Sequence, residues 1–166
     1  MHRTHAAAAP RPRFDAATTE KVAVLQHDPD FVLRAVAARM GIALLPETRV
    51  PTLLLESRTA PERWRAAAER HWRMRPAAFT AFYMAEQNEI YLIDEAAQYE
   101  RRGGTLDDAL AHELVHYLQA RYRRDALDTD WAELEAVQIQ HWFRAEYMQA
   151  KPRLGRVAPA LQAMTP

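Results

Sequence analysis

Residues 105–124 read TLDDALAHELVHYLQARYRR and predict the central helix of the fold. It follows the glycine pair Gly103-Gly104 and opens with Thr105, three residues before Asp108, a spacing that resembles a helix capping box. Uncharged residues surround its centre, as expected for a helix buried at the floor of a cleft: Leu110, Ala111, Leu114, Val115, Tyr117 and Leu118. We therefore predict a buried helix from Leu106 to about Arg124.

Within this helix, residues 112–116 (HELVH) form an HExxH motif. Residues four apart in a helix lie one above the other, about 40° apart around the axis and about 6 Å apart along it. The imidazoles of His112 and His116 can therefore converge on one metal ion. Glu113 projects beside the metal, where its carboxylate can take a proton from an attacking water. The alternative interpretation is a surface helix with two solvated histidines, in which Glu113 only favours helix formation.

A zinc site of this kind needs a third protein ligand. Tyr122 stands six residues after His116, where a third histidine would be expected, so the candidates are Glu133 and Glu135 on the next helix. Glu135 shares a helical face with the residues expected to be buried, namely Trp131, Leu134, Ile139 and Trp142. A carboxylate on an apolar face is costly unless it is paired or binds a cation. We therefore predict Glu135 as the third ligand (HExxH-x18-E), with Glu133 as the nearby alternative. A buried Glu135 paired only with arginine or tyrosine is the interpretation without a metal.

The segments around this helix predict an α+β fold. Three short apolar segments bounded by turns are typical of strands, namely 50–56 (VPTLLLE), 79–85 and 89–94. Further helices are expected from Thr19, from Pro29 to Gly41, from Pro61 to about Met74 and over about 130–148. We expect a small mixed or antiparallel sheet packed on the HExxH helix and the glutamate-bearing helix, with extra N-terminal helices.

The whole chain of 166 residues is long enough for one domain. We expect a flexible leader over 1–15, a single domain over 16–150 and an irregular tail over 151–166. Lys plus Arg equals Asp plus Glu, 22 against 22, which does not favour nucleic acid as a partner. No cysteine is present, so disulfide scaffolds and thiolate zinc sites are excluded. No apolar run reaches the roughly 18 residues of a transmembrane segment. We take the cytoplasm as the expected compartment, with export or a periplasmic location left open if a signal peptide has been removed.

These motifs resemble those of the gluzincins, and among them the very small bacterial minigluzincin metallopeptidases. The resemblance covers roughly 50–148: a strand, a helix, a strand pair ending in NEIYLID, the HELVH helix and the helix that carries ELEAVQ. It implies a zincin-like fold with one zinc ion per chain, bound by His112, His116 and Glu135, and Glu113 as general base. It also implies an edge strand, matched by 88–94, to which an extended peptide or protein substrate adds as a further strand.

The sequence departs from the larger members of that group in two places. Ile139 stands four residues after Glu135, where an aspartate that orients a ligand would be expected, so the partner of His112 is not identified. No clear residue that stabilises the oxyanion follows either, and Tyr122 and His141 are the nearest candidates. Two alternatives therefore accompany the peptidase prediction. One is a regulatory zincin that cleaves one partner protein, as the phage-repressor-cleaving zincins do, and the other is a metal-stabilised binding domain without turnover.

Overall fold

The computed structural model describes residues 21–74, 81–123 and 130–148, and within them the chain has an α+β fold. The described helices are α1 (Pro29–Arg39), α2 (Pro61–Met74), α3 (Ala96–Arg102), α4 (Leu106–Tyr122) and α5 (Asp130–Phe143). The strands are β1 (Thr52–Leu55), β2 (Ala81–Met84) and β3 (Glu89–Leu92). A 3-10 turn (Glu56–Arg58) follows β1, and a π-helical turn (Arg144–Met148) continues α5. The predicted leader (1–15) and tail (151–166) lie outside the described residues.

Helix α4 is the centre of the fold, and its predicted start is confirmed. Thr105 Oγ1 accepts a hydrogen bond from the Asp108 backbone N–H at 3.1 Å, and the Asp108 carboxylate accepts one from the Thr105 N–H at 3.0 Å. The two bonds satisfy N–H groups that the first turn of a helix leaves without partners. Leucines 106, 110, 114 and 118 are almost completely buried between the sheet, α1 and α5. Burying a leucine side chain stabilises a fold by about 1.5–3 kcal/mol, so this helix is a major source of stability.

The sheet has the strand order β1-β3-β2, with β1 parallel and β2 antiparallel to β3. Ile90 and Leu92 of β3 belong to the core that contains α4, whereas Tyr91 packs on the other face with Phe82 and with Trp64 of α2. This alternation is what a strand covered on both faces requires. The prediction that 88–94 forms an edge strand is wrong, because β3 pairs with a strand on either side. Among the described residues, β2 and β1 are the edges.

The segment before α1 is extended and is not the helix predicted from Thr19. Val22 forms an antiparallel bridge with Glu95, and the Ala23 N–H donates to Asp94 O at 2.7 Å. The Gln26 and His27 backbone N–H groups then donate to the fully buried Asp107 carboxylate on α4, at 2.9 and 2.8 Å. These long-range bonds replace the local ones that a helix would make. Helix α1 itself begins as predicted at Pro29.

Helix α5 buries a different stripe from the one that the sequence predicts. Its buried residues are small or regularly spaced: Ala132, Ala136, Ile139 and Phe143. Trp131 and Leu134, which were expected to be buried, are 64% and 54% exposed. At 100° per residue, Glu133 and Glu135 flank the buried stripe on opposite sides. The helix that carries both candidate ligands is therefore rotated relative to the prediction, and this decides which of them approaches α4.

None of the described helices combines the length and the apolar character that crossing a membrane requires.

Candidate metal centre

The two histidines of the HExxH motif face the same point beside α4. Their Nε2 atoms lie 3.2 Å apart, and both side chains are mostly buried. The helical spacing of four residues accounts for this convergence. The structure therefore brings His112 and His116 together as the motif predicts.

Glu133 of α5 completes the cluster. Its Oε1 lies 3.3 Å from His112 Nε2, and its Oε2 lies 3.3 Å from His116 Nε2. Among the described residues this is the only group of three or more histidine or carboxylate side chains whose ligand atoms all lie within 4.8 Å of one another. The Glu133 side chain is 49% exposed, so the cluster opens to solvent on that side.

The spacing of these atoms fits a zinc ion. Zinc–nitrogen and zinc–oxygen bonds of about 2.0–2.1 Å at tetrahedral angles place ligand atoms roughly 3.3–3.4 Å apart. The two Nε2 atoms are 3.2 Å apart, and each lies 3.3 Å from a different carboxylate oxygen of Glu133, so all three distances are close to this value. Two imidazoles and one carboxylate, with solvent on the fourth side, are the ligand set of a catalytic zinc site rather than of a closed structural one.

The structure does not bring Glu135, the predicted third ligand, to the histidine pair. Its Oε2 accepts a hydrogen bond from Gln119 Nε2 at 3.0 Å, and its Oε1 pairs with Arg123 at 2.9 Å. The prediction depended on Trp131 and Leu134 being buried, and both are exposed. Glu133, the alternative of the sequence analysis, takes the place of Glu135 in the candidate ligand set. Glu135 matches the interpretation of a carboxylate paired with arginine.

Two glutamines that sequence reasoning missed contact the outer nitrogens of the histidines. Gln140 Oε1 lies 3.2 Å from His112 Nδ1, and Gln119 Oε1 lies 3.0 Å from His116 Nδ1. Spacing could have indicated both: Gln119 is three residues after His116 on α4, and Gln140 is seven residues, or two turns, after Glu133 on α5. The position four residues after Glu135 holds Ile139, and the same count from Glu133 would have reached Val137 instead of Gln140.

Glu113 is buried beside the pair, with a residue exposure of 5%. Burial raises the pKa of its carboxyl group, and the negative charge of Glu133 raises it further. The neighbouring histidines and a hydrogen bond from the Tyr83 backbone N–H lower the pKa, but the net shift is upward. The protonation of Glu113 therefore depends on the charges of His112, His116 and Glu133. Hydrogen bonds to the two histidines hold the pKa of Glu133 far below its usual value. Burial lowers the pKa of His112, but Glu133 and Glu113 outweigh it and the net shift is upward.

Neither candidate for an oxyanion-stabilising residue reaches the pair. The Tyr122 hydroxyl is bonded to Thr48 Oγ1 at 2.5 Å and accepts from the Leu45 N–H at 3.1 Å, at the far end of α4. His141 is exposed on α5, and no hydrogen bond or ion pair joins it to His112 or His116. Within the described residues, Tyr122 and His141 therefore do not serve the cluster.

Strand β2 runs past the site with one edge free of described strands. The Tyr83 N–H bonds Glu113, so it points away from β3. Because the peptide groups of consecutive residues point to opposite sides of a strand, those of Ala81 point the same way as those of Tyr83. The Thr52 N–H donates to Asn88 O, so the peptide groups of Asn88 face β1 and those of the next residue, Glu89, face β2. Glu89 pairs with Met84, so the peptide groups of Met84 face β3 and those of its neighbour Tyr83 face away from it. The peptide groups of Ala81 and Tyr83 therefore lie along the free edge of β2, and the Tyr83 backbone is near enough to Glu113 to lower its pKa.

No family model matches the chain, and neither a curated protein nor a solved structure matches it, so the geometry of the site carries the functional argument.

Proposed function

We propose that this protein is a zinc-dependent peptidase that binds one zinc ion per chain through His112, His116 and Glu133. The observation behind the proposal is a pair of Nε2 atoms 3.2 Å apart, each 3.3 Å from a different oxygen of the Glu133 carboxylate, beside a buried glutamate. Glu113 is the general base. A helix with this motif beneath a sheet that ends in an antiparallel edge strand, followed by the helix of the third ligand, supports a zincin-like fold.

Zinc bound by these residues would supply a Lewis acid that polarises a carbonyl group and makes a water molecule more acidic. Glu113 accepts the proton of the attacking water and delivers it to the leaving amine. Its burial favours this role, since a carboxylate in an apolar environment holds a proton more readily than one in water. The Tyr83 backbone N–H favours the carboxylate form of Glu113, which is the form that accepts a proton.

The free edge of β2 is the proposed place for the substrate, instead of the segment 88–94 expected from the sequence. An extended peptide can satisfy the N–H and C=O groups of Ala81 and the C=O of Tyr83 whatever its side chains are. Pairing there would lay the peptide between the strand and the histidines. Loosely folded proteins should therefore be cut in preference to compact ones.

The test is reconstitution of the full chain with zinc, followed by cleavage of an unfolded casein-like substrate. The Glu113→Gln variant should retain about one zinc per chain, since position 113 is not a ligand, and should lose roughly 10²–10⁴-fold in rate, the usual contribution of a general base. An exposed acidic residue of α2, in the variant Glu69→Gln, is the matched control and should cleave like the wild type. Equal activity of Glu113→Gln and the wild type would refute the assigned role.

One observation favours a second candidate, a metal-stabilised binding domain without turnover. The Tyr122 hydroxyl is hydrogen-bonded to Thr48 and Leu45, and His141 does not contact the two histidines of the motif. Neither residue can therefore stabilise an oxyanion there. Such a domain would bind zinc with the same ligands and leave every peptide substrate intact. Zinc-loaded wild-type protein that binds the casein-like chain and does not cleave it would favour this second function.

A further inference from the structure

We propose that Gln119 and Gln140 are positioning residues that orient the two histidine ligands, each held by its own chain of a carboxylate and an arginine. The proposal rests on the metal site of the proposed function and adds a support that lies outside the ligands. We call the two sets the Gln140 relay (His112, Gln140, Asp108, Arg144) and the Gln119 relay (His116, Gln119, Glu135, Arg123).

The Gln140 relay connects His112 to the first turn of its own helix. Gln140 Oε1 lies 3.2 Å from His112 Nδ1, and Gln140 Nε2 donates to Asp108 Oδ1 at 3.0 Å. Arg144 then pairs with Asp108 through Nε at 2.6 Å and through a terminal nitrogen at 3.1 Å. Asp108 is almost fully buried and also caps the start of α4, so its position is set by the helix itself.

The Gln119 relay repeats the same order of groups around His116. Gln119 Oε1 lies 3.0 Å from His116 Nδ1, and Gln119 Nε2 donates to Glu135 Oε2 and to Ala132 O, each at 3.0 Å. Arg123 pairs with Glu135 at 2.9 Å and donates to Met40 O at 2.6 Å, which ties the relay to the end of α1. Gln119 is fully buried. Glu135 therefore affects the site only through its hydrogen bond with Gln119.

The carboxylates decide which way each glutamine amide points. A carboxylate and a backbone carbonyl only accept hydrogen bonds, so the side of the amide that meets Asp108 or Glu135 must be the NH₂ group. The amide oxygen then faces the histidine and accepts from Nδ1–H, which leaves Nε2 with a free lone pair for a metal. Because Arg144 and Arg123 balance the two carboxylates, the relays add no net charge to the site. Glu133 is then the sole anionic ligand.

The experiment measures zinc affinity of the full chain by competition with a chromophoric chelator. Partners of this kind are commonly worth 10–100-fold in metal affinity, so Gln140→Leu and Gln119→Leu should each bind zinc about 10–100-fold more weakly than the wild type. The matched control is Gln138→Leu, which replaces an exposed glutamine of α5 and should bind zinc like the wild type. Gln140 is only partly buried, so Gln140→Leu is the deciding variant, and circular dichroism of each variant confirms the fold.

A reciprocal exchange separates orientation from the mere filling of space. Gln140→Glu alone places a carboxylate against Asp108 and should weaken zinc binding. The double variant Gln140→Glu/Asp108→Asn restores one donor and one acceptor at that contact, although it loses the Arg144 bond to the same Asp108 oxygen, and should recover part of the affinity. In zinc-loaded wild-type protein with ¹⁵N-labelled histidine, both Nδ1–H protons should exchange slowly with solvent, and that of His112 should exchange fast in Gln140→Leu.

The outcomes distinguish this proposal from the proposed function. Wild-type protein that binds no zinc would overturn the metal site itself. Wild-type protein that binds zinc, with Gln140→Leu equal to it in affinity and in Nδ1–H exchange, would overturn the relays alone.

Discussion

Exchange of Glu133 for glutamine tests the ligand set that the structure selects. The variant Glu133→Gln keeps the shape of the side chain and removes the negative charge that lies 3.3 Å from both Nε2 atoms. Its matched partner is Glu135→Gln, two residues away on the same helix, where the carboxylate contacts Gln119 and Arg123 instead. Comparison of the two variants distinguishes a zinc ligand from a neighbouring carboxylate, because both substitutions keep the volume of the side chain.

The expected magnitude follows from the number of protein ligands. Zinc sites with four protein ligands bind with about 10–16 kcal/mol, or roughly 2.5–4 kcal/mol per ligand. Each 1.4 kcal/mol is tenfold in affinity, so Glu133→Gln should weaken zinc binding by roughly 10²–10³-fold. Glu135→Gln should cost about tenfold or less, since the glutamine still offers an oxygen to Gln119 and acts only through that residue.

The assay is chelator competition at constant pH and salt on proteins whose fold has been checked by circular dichroism. If Glu135→Gln lost most of its zinc while Glu133→Gln bound it normally, the observed rotation of α5 would be refuted and the sequence-based choice of Glu135 restored. Equal losses in both variants would mean that proximity to the two histidines does not identify the third ligand.

Three further changes probe the strand, the helix start and the metal. Ala81→Pro removes an N–H from the free edge of β2 and should slow peptide cleavage by about 2–10-fold, the value of one hydrogen bond, without changing zinc content. Thr105→Ala removes the cap of α4 and should lower the free energy of unfolding by about 0.5–2 kcal/mol in chemical denaturation. Chelation of zinc from protein held at 100 times its Kd should cost about 2.7 kcal/mol and lower Tm by roughly 5–10 °C in calorimetry.

Each of these has its own control. Phe82→Pro removes an N–H that pairs with β3 and should destabilise the sheet, which Ala81→Pro should not. A cleavage rate of Ala81→Pro equal to that of the wild type would mean that peptides do not bind along β2. Glu69→Ala, at an exposed position of α2, is the comparison for Thr105→Ala, and chelator added to Glu133→Gln should leave Tm nearly unchanged.

Sequence reasoning is most successful where the physics is local. The capping box at Thr105 and the convergence of His112 and His116 depend only on spacing within one helix, so both could be predicted. The strand segments could be found from short apolar runs, but their order could not. Strand order is set by long-range pairing, and β3 therefore lies in the centre although it had been expected at the edge.

The third ligand could not be predicted with the same argument because it depends on packing between helices. Ala132 and Ala136 let α5 approach α4 closely, so these small residues are buried while the larger Trp131 and Leu134 face solvent. A hydrophobicity scale would instead predict that Trp131 and Leu134 are more buried than the two alanines. The rotation that results brings Glu133, and not Glu135, to the histidines.

A crystal structure of zinc-reconstituted protein, with anomalous diffraction data collected at the zinc absorption edge, would locate the metal and its ligands. We expect one peak per chain, about 2.0–2.1 Å from the Nε2 atoms of His112 and His116 and from a carboxylate oxygen of Glu133. An absence of any peak at the pair after reconstitution, or a peak coordinated by Glu135 in place of Glu133, would contradict this expectation.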